Sequence, residues 1–248
     1  MSETVLRAIQ ALTKPALCLD FDGTLVEIAP RPEAIRVDAC LQGLLEDLRQ
    51  RFDGRVALIT GRSHVDLSRY LDLVEFPVSA SHGAQFSAAG APDAQTLGDP
   101  AALDDWRELL SGAIAGHEAV YLEDKGTAIA VHTRPNPQAH DGLLKTLKAH
   151  ASADVHVAGG KGVVEVRLAS EDKGTAIDRL MALPNWQGAC PVMIGDDTTD
   201  NDGMAAAKRH GGLGVQVGAG PGGNALSHAT YAVMSVADVH AMLAELAR

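Results

Sequence analysis

Two aspartates spaced two residues apart, Asp20 and Asp22, lie in LCLDFDGTL (17–25), where an apolar run ends. In extended geometry residues i and i+2 point to one side. Such a pair suits one nucleophile plus one acid/base group, or a site for a hard cation. Gly23 lets the chain turn and bring its backbone close to a ligand. A second acidic run, MIGDDTTDND (193–202), also follows an apolar segment and carries Asp196, Asp197, Asp200 and Asp202. Like charges crowded this way need relief from a cation or solvent. An all-oxygen donor set favours Mg²⁺ over zinc or copper. Between the two, LITGR (58–62) delivers Thr60 to the end of an apolar run, with Gly61 opening a helix. A hydroxyl, free backbone N–H groups and a helix N-terminus together make an anion site. Lys173 starts a later helix, where it opposes the macrodipole; a task in holding phosphate would account for it. Each signal alone has a plainer reading: a solvated turn, an ordinary strand-to-helix turn, a surface lysine beside Glu171 and Asp172, or an acidic first helical turn.

The elements that must position these groups alternate along the chain. ALCLDF (16–21) and RVALIT (55–60) read as buried parallel strands. Between them Leu41, Leu44, Leu45, Leu48 and Phe52 recur at helical spacing, with Asp38 as the expected N-cap, and GRSHVDLSRYL continues as a second helix. This is βαβα, the pattern of a Rossmann-like, doubly wound parallel sheet. The middle differs: 85–100 reads as a linker, then a helix over about 101–115. A hairpin follows in AVYLEDKGTAIAVHTR (119–134), then a helix bearing Leu143, Leu144 and Leu147, then a hairpin around Gly159, Gly160 and Gly162. That order is an inserted α+β module. Afterwards the βα rhythm resumes with a helix at 172–182, a strand at 191–197, a helix stopped by Gly211 and Gly212, a strand in GLGVQVG, and a last helix behind a Ser235/Asp238 capping box. The expected division is 1–85 and 167–248 for the α/β sheet domain and 86–166 for the insert. The string EDKGTAI occurs at 123–129 and at 171–177 with unlike flanks, strand-favouring in the first copy and helix-favouring in the second.

The chain has 248 residues, 32 acidic against 21 basic, a formal net charge of −11. That balance argues against nucleic acid or an anionic membrane as partner, since both select clustered Lys and Arg. A phosphorylated small molecule remains compatible, because a cation reverses the field locally. Cys18, Cys40 and Cys190 are scattered and never in a C-x-x-C pair. They read as buried reduced thiols in a cytoplasmic protein. No apolar run approaches the ~18–20 residues that span a bilayer, and MSETVLRAIQALTKPAL does not read as a signal peptide. A monomer is the expected state.

Taken in order, the four elements resemble the haloacid dehalogenase-like phosphohydrolases over about 14–84 and 169–248. The resemblance implies Asp20 as nucleophile, an aspartyl-phosphate intermediate, and Asp22 as the group that protonates the leaving alkoxide and then activates water. Thr60 and Lys173 would hold phosphoryl oxygens. Mg²⁺ would be held by the Asp20 carboxylate, the Asp22 carbonyl and Asp196, with Asp200 in support. The place of the insert matches a large α/β cap. YLEDKGTAIAVHTR, GKGVVEVR, LDFDGTLVEIAPRPEAIRV, SHGAQF and GDDTTD further resemble the trehalose-6-phosphate phosphatases. That implies a sugar-phosphate substrate, with Lys125, His132, Lys161 and Glu165 on the sugar, His82 and Gly83 near the core–cap seam, and Gly61 and Arg62 also at the substrate. Asn201, Met204 and Gln85 depart from the residues usual in that family. Alternatives are a sucrose- or mannosyl-type phosphate phosphatase, a sugar phosphomutase, or, from another class, a phospho-accepting receiver domain.

Overall fold

The computed structural model describes residues 2–97, 99–152, 155–160, 162–168, 172–218 and 225–248. In chain order the elements are α1 (Ser2–Gln10), β1 (Pro15–Leu19), α2 (Leu41–Arg51), β2 (Val56–Ile59), α3 (His64–Leu67), β3 (Val78–Ala80), β4 (Gln85–Ser87), β5 (Gln95–Thr96), α4 (Asp104–Ala113), β6 (Tyr121–Asp124), β7 (Ala128–His132), α5 (Pro137–His150), β8 (Val155–Gly160), β9 (Val163–Leu168), α6 (Lys173–Met181), β10 (Cys190–Gly195), α7 (Asp200–Arg209), β11 (Leu213–Val217), β12 (Tyr231–Val233) and α8 (Val236–Leu246). The chain forms two compact units, Met1–Gln95 with Asp172–Arg248, and Thr96–Glu171.

The first unit is built on strands that are apolar on both sides. In β1, Leu17 and Leu19 pack with Val5 and Ile9 of α1, Leu45 and Leu48 of α2, and Leu243 of α8. Ala16 and Cys18, of opposite parity, pack with Ile177 and Leu180 of α6 and Met204 of α7. Both faces are covered, which is why these strands read as continuous apolar runs rather than alternating ones. The sheet order is β12-β11-β10-β1-β2-β3-β4-β5. The pairs from β12 to β3 are parallel, and β4 joins β3 antiparallel. The order reverses between β1 and β10, and ligands bind open α/β sheets at such a point, beyond the strands' carboxyl ends.

The second unit is a four-stranded antiparallel sheet in the order β6-β7-β9-β8. Ile129, Val131, Val164 and Val166 pack against Trp106 and Leu110 of α4 and Leu143 and Leu147 of α5. The α/β architecture with a separate antiparallel sheet is the one expected from the sequence.

Several local expectations are corrected. Asp38 is not the N-cap of α2: its Oδ1 accepts from Cys40 N at 2.8 Å, and Cys40 occupies the cap position. The helix expected to open at Gly61 begins at His64 and ends at Leu67, capped by Ser63. The segment expected to be a linker supplies β4 and β5, because strand pairing is a main-chain interaction that a weak side-chain pattern does not prevent. Ser235 Oγ accepts from Asp238 N, but the Asp238 carboxylate accepts from Ser235 Oγ rather than from its backbone, so the capping box is half-formed. Cys18 is buried, Cys190 half-buried and Cys40 exposed, and all three are unpaired. Burial pushes the Cys18 thiol above its ordinary range. The shared heptapeptide does take two structures: DKGTAI spans the β6–β7 turn in its first copy and the start of α6 in its second. Residues 219–224, which continue the glycine-rich stretch after β11, lie outside the described residues. Among those described, no helix is long and apolar enough to cross a membrane.

Leu45 is fully buried between α2 and the sheet. Leu45→Ala should cost about 2–5 kcal/mol from lost burial and the cavity left behind, read as a lowered urea midpoint.

Candidate active site

β1 and β10 run parallel with Leu19 opposite Ile194, so Asp20 and Asp196 leave the sheet from adjacent strand ends. Asp20 N donates to Ile194 O at 3.0 Å, which prolongs the ladder by one bond beyond Leu19. Asp20 is 4% exposed and Asp200 fully buried. Lys173 Nζ lies between them, donating to Asp20 Oδ1 at 2.7 Å and to Asp200 Oδ1 at 2.5 Å. The helix start that disfavours a lysine thus holds one whose charge is met by two carboxylates. Asp172 and Thr175 cap the same turn reciprocally. Thr24 Oγ1 donates to Asp20 Oδ2 at 3.3 Å, and Asp197 N to Asp200 Oδ2 at 2.9 Å.

Asp20, Asp196 and Asp200 each offer an oxygen within 4.8 Å of the others. Gly23, at φ +81°, permits this closure: a Cβ there would stand 2.3 Å from Asp196 Oδ2. Burial and then Asp200 push the Asp196 carboxyl up to about 7. Burial also pushes Asp20 up, against the pull of Lys173. Burial opposes the Lys173 charge, but Asp20 and Asp200 outweigh it and hold the ammonium protonated. Three carboxylates around one ammonium leave negative charge uncompensated, and the donors are all oxygen. That set fits a hard divalent cation.

The acidic run does not gather as a whole. Asp197 is exposed, with Oδ1 accepting from Thr198 N at 2.6 Å. Asp202 is exposed in the first turn of α7. The Asp22 carboxylate is held instead by Arg62, at 2.6 and 2.8 Å. Three of the six acids, rather than all, form the cluster.

Thr60 directly follows β2, buried, with Oγ1 accepting from Arg62 N at 3.1 Å. Ser81 N donates to Arg62 O and His82 N to Thr60 O, at 2.7 and 3.0 Å. Ser81 and His82 both have positive φ, 50° and 55°, an uncommon backbone for these residues. The pair clasps the Thr60–Arg62 turn so closely that a Cβ on Gly61 would lie 2.4 Å from His82 Nε2. Gly83 is buried, its carbonyl 3.4 Å from Arg179 Nη1. The departures have local tasks. Gln85 Oε1 accepts from His64 N at 2.9 Å. Asn201 Oδ1 accepts from His228 N at 2.9 Å. Met204 is buried in the core.

The trehalose-phosphatase family model matches residues 18–237. The chain belongs to the trehalose-phosphatase family. It is similar to the trehalose-6-phosphate phosphatase of Escherichia coli (strain K12), 36% identical over 98% of this chain and 90% of that protein. It is also similar to the probable trehalose-phosphate phosphatase of Sinorhizobium fredii (strain NBRC 101917 / NGR234), 33% identical over 82% of this chain and 77% of that one. The fold is shared with the C-terminal domain of the Candida albicans trehalose-6-phosphate phosphatase, at a TM-score of 0.81 and 22% identity over 99% and 96% of the two chains. Membership makes this trehalose-phosphatase a phosphoric monoester hydrolase.

Its second unit carries His132 and Glu165 on the sheet face turned away from α4 and α5, with Lys125 in the turn after β6. Glu123, Ala130 and Glu165 stand in register across β6, β7 and β9. Lys125 Nζ lies 3.9 Å from Glu165 Oε1. His132 Nε2 lies 2.8 Å from Glu123 Oε2, with Tyr121 stacked on the imidazole at 4.5 Å. The His132 hydrogen bond holds the Glu123 carboxyl below its ordinary range. Lys161 lies outside the described residues. Sequence reasoning passed over Glu123 and Tyr121; the signal was strand parity, since both alternate with Leu122 towards the face that bears Lys125.

With Asp196 titrating near 7 and Asp20 also raised, the metal-free folded protein holds protons that the unfolded chain releases near pH 4. The stability this contributes is complete below that pH and lost as pH rises through about 7. The thermal midpoint of chelator-treated protein should therefore fall between pH 5 and 8, and Asp196→Asn should flatten that fall.

Proposed function

We propose that this chain is a Mg²⁺-dependent phosphatase that releases phosphate from trehalose 6-phosphate, with Asp20 as nucleophile. The reading rests most on the buried Asp20–Lys173–Asp200 arrangement at the sheet's switch point, in a chain of this family. A carboxylate oxygen of Asp20 bonds to phosphorus as the bond from phosphorus to the sugar oxygen breaks. Asp22 gives its proton to that oxygen. Asp22 then takes a proton from a water whose oxygen attacks phosphorus, which restores the Asp20 carboxylate and frees phosphate. Lys173 and the Thr60 hydroxyl, with the main chain of Gly61 and Arg62, hold the phosphoryl oxygens. Asp20, Asp196 and Asp200, with the Asp22 carbonyl, would hold Mg²⁺, which when bound supplies charge neutralisation at the transferring group.

Lys125, His132, Lys161 and Glu165 bind the sugar, with His82 and Gly83 at the rim of the phosphate turn. A disaccharide presents hydroxyls to which lysine donates and from which glutamate accepts. A site built for such groups rejects analogues that leave them unpaired. Three unpaired cysteines fit work in a reducing compartment, the cytoplasm.

Purified protein should release phosphate from trehalose 6-phosphate with Mg²⁺, stop on chelation, and act more slowly on sucrose 6-phosphate and mannosyl phosphates. Rapid cleavage of one of those, with trehalose 6-phosphate untouched, would overturn the substrate assignment. Asp20→Asn should abolish turnover. Asp22→Asn should accumulate phosphoenzyme visible by intact mass; undiminished turnover in that variant would refute its role.

A further inference from the structure

We propose that Arg62 is the positioning residue for Asp22: its guanidinium fork aims the Asp22 carboxylate at the departing sugar oxygen and then at the attacking water. The inference rests on Asp22 being the proton-transfer group of the reaction above. Taken from sequence as a substrate contact, Arg62 has its side-chain donors largely committed within the protein. Nε and Nη2 donate to the two Asp22 oxygens at 2.6 and 2.8 Å. Nη1 donates to Asp66 Oδ2 at 2.6 Å, and Nη2 also to the Pro32 carbonyl at 2.9 Å. That engages four of the five N–H groups a guanidinium carries.

The group is walled by aromatic rings, with Phe21 and Tyr70 centroids 5.6 and 5.4 Å from Cζ. The Arg62 side chain is 7% exposed, whereas that of Asp22 is 37% exposed. An aspartate this exposed, on a turn beyond a strand end, would by itself occupy several rotamers. A two-point fork selects one orientation, and the fork is itself fixed by Asp66 on α3, the Pro32 carbonyl and two rings. Lysine, a point charge on a flexible stem, cannot reproduce the geometry.

Wild-type turnover of trehalose 6-phosphate with Mg²⁺ is measured first. Its absence removes the functional reading itself, and so is told apart from a failure of the Arg62 assignment. The readout is then kcat/KM, which covers steps up to leaving-group departure, for trehalose 6-phosphate and for p-nitrophenyl phosphate, whose phenolate leaves with little need of a proton. A positioned proton-transfer group supplies roughly 10²–10⁴-fold, so Arg62→Ala and Arg62→Lys should each lose about 10- to 100-fold on the sugar ester and about threefold or less on the aryl ester. In an Asp22→Asn background Arg62→Lys should add nothing, the non-additivity of two groups acting as one. Equal loss on both esters, restoration by lysine, or a full further loss in the Asp22→Asn background would overturn the assignment. Should Arg62→Ala fail to fold by circular dichroism, Asp66→Asn, which frees the far side of the fork, carries the same comparison and should show the same dependence on leaving group.

Discussion

The first unit is organised around one buried ammonium. Lys173 has almost no contact with solvent and is held between two carboxylates that are likewise buried. Removing one member of such a group leaves an unpaired buried charge, at about 3–5 kcal/mol, so each of the three elements that supply it constrains the others. β1 must end just before Asp20, α6 must begin at Lys173, and α7 must begin at Asp200. The parallel pairing of β1 with β10 brings the end of β1 beside the turn that leads from β10 into α7, and the capped first turn of α6 supplies the lysine. Even so the charge count does not close, because Asp196 adds a third carboxylate. The residual negative field makes the cluster a place for a cation, and with a cation present, a place that an anionic ester can enter.

A second arrangement sits beside it and is distinct in kind. Asp22 belongs to the same short motif as Asp20 yet takes no part in the carboxylate cluster; Arg62 from the next strand's turn holds it. The Thr60–Arg62 turn is in turn clasped by a strained Ser81–His82 backbone. Strain of this kind persists only where surrounding contacts over-determine it. Here two main-chain hydrogen bonds and the His82 ring against Gly61 do so. Asp20 and Asp22 are thereby fixed by separate networks, which allows their orientations to be set independently.

Much of this was legible in the residues. Asp20, Thr60, Lys173 and the acidic run each stand where an apolar strand ends or a helix begins, and such boundaries are marked by a change of residue type. The antiparallel module was legible from its glycine-centred hairpins. Less visible were β3 and β12, too short for periodicity to register, and β4 and β5, whose pairing lies in the main chain. The helix after Thr60 was over-read: VDLSRYL has helical spacing, but the chain leaves the helix after Leu67. Glu123 went unnoticed because its only mark in sequence, a strand parity shared with Lys125, says nothing of its partner His132 on the neighbouring strand.

The sequence by itself determined which groups are available, in what order, and at which element ends. Those are local properties, carried by residue type and by spacing within one strand or helix. It also carried the family, since the motifs and the strings of the inserted module are themselves sequence. Residue type and spacing do not say which carboxylates share a site; the tertiary structure decides it. By residue type and spacing alone six aspartates looked equivalent, and only the family resemblance set Asp20, Asp196 and Asp200 apart; in the structure those three gather around Lys173, one is captured by an arginine forty residues away, and two face solvent. The physical reason is that charge interactions act through space at a few ångströms. Distance in space depends on strand order and on a close approach at Gly23, neither of which spacing along the chain contains.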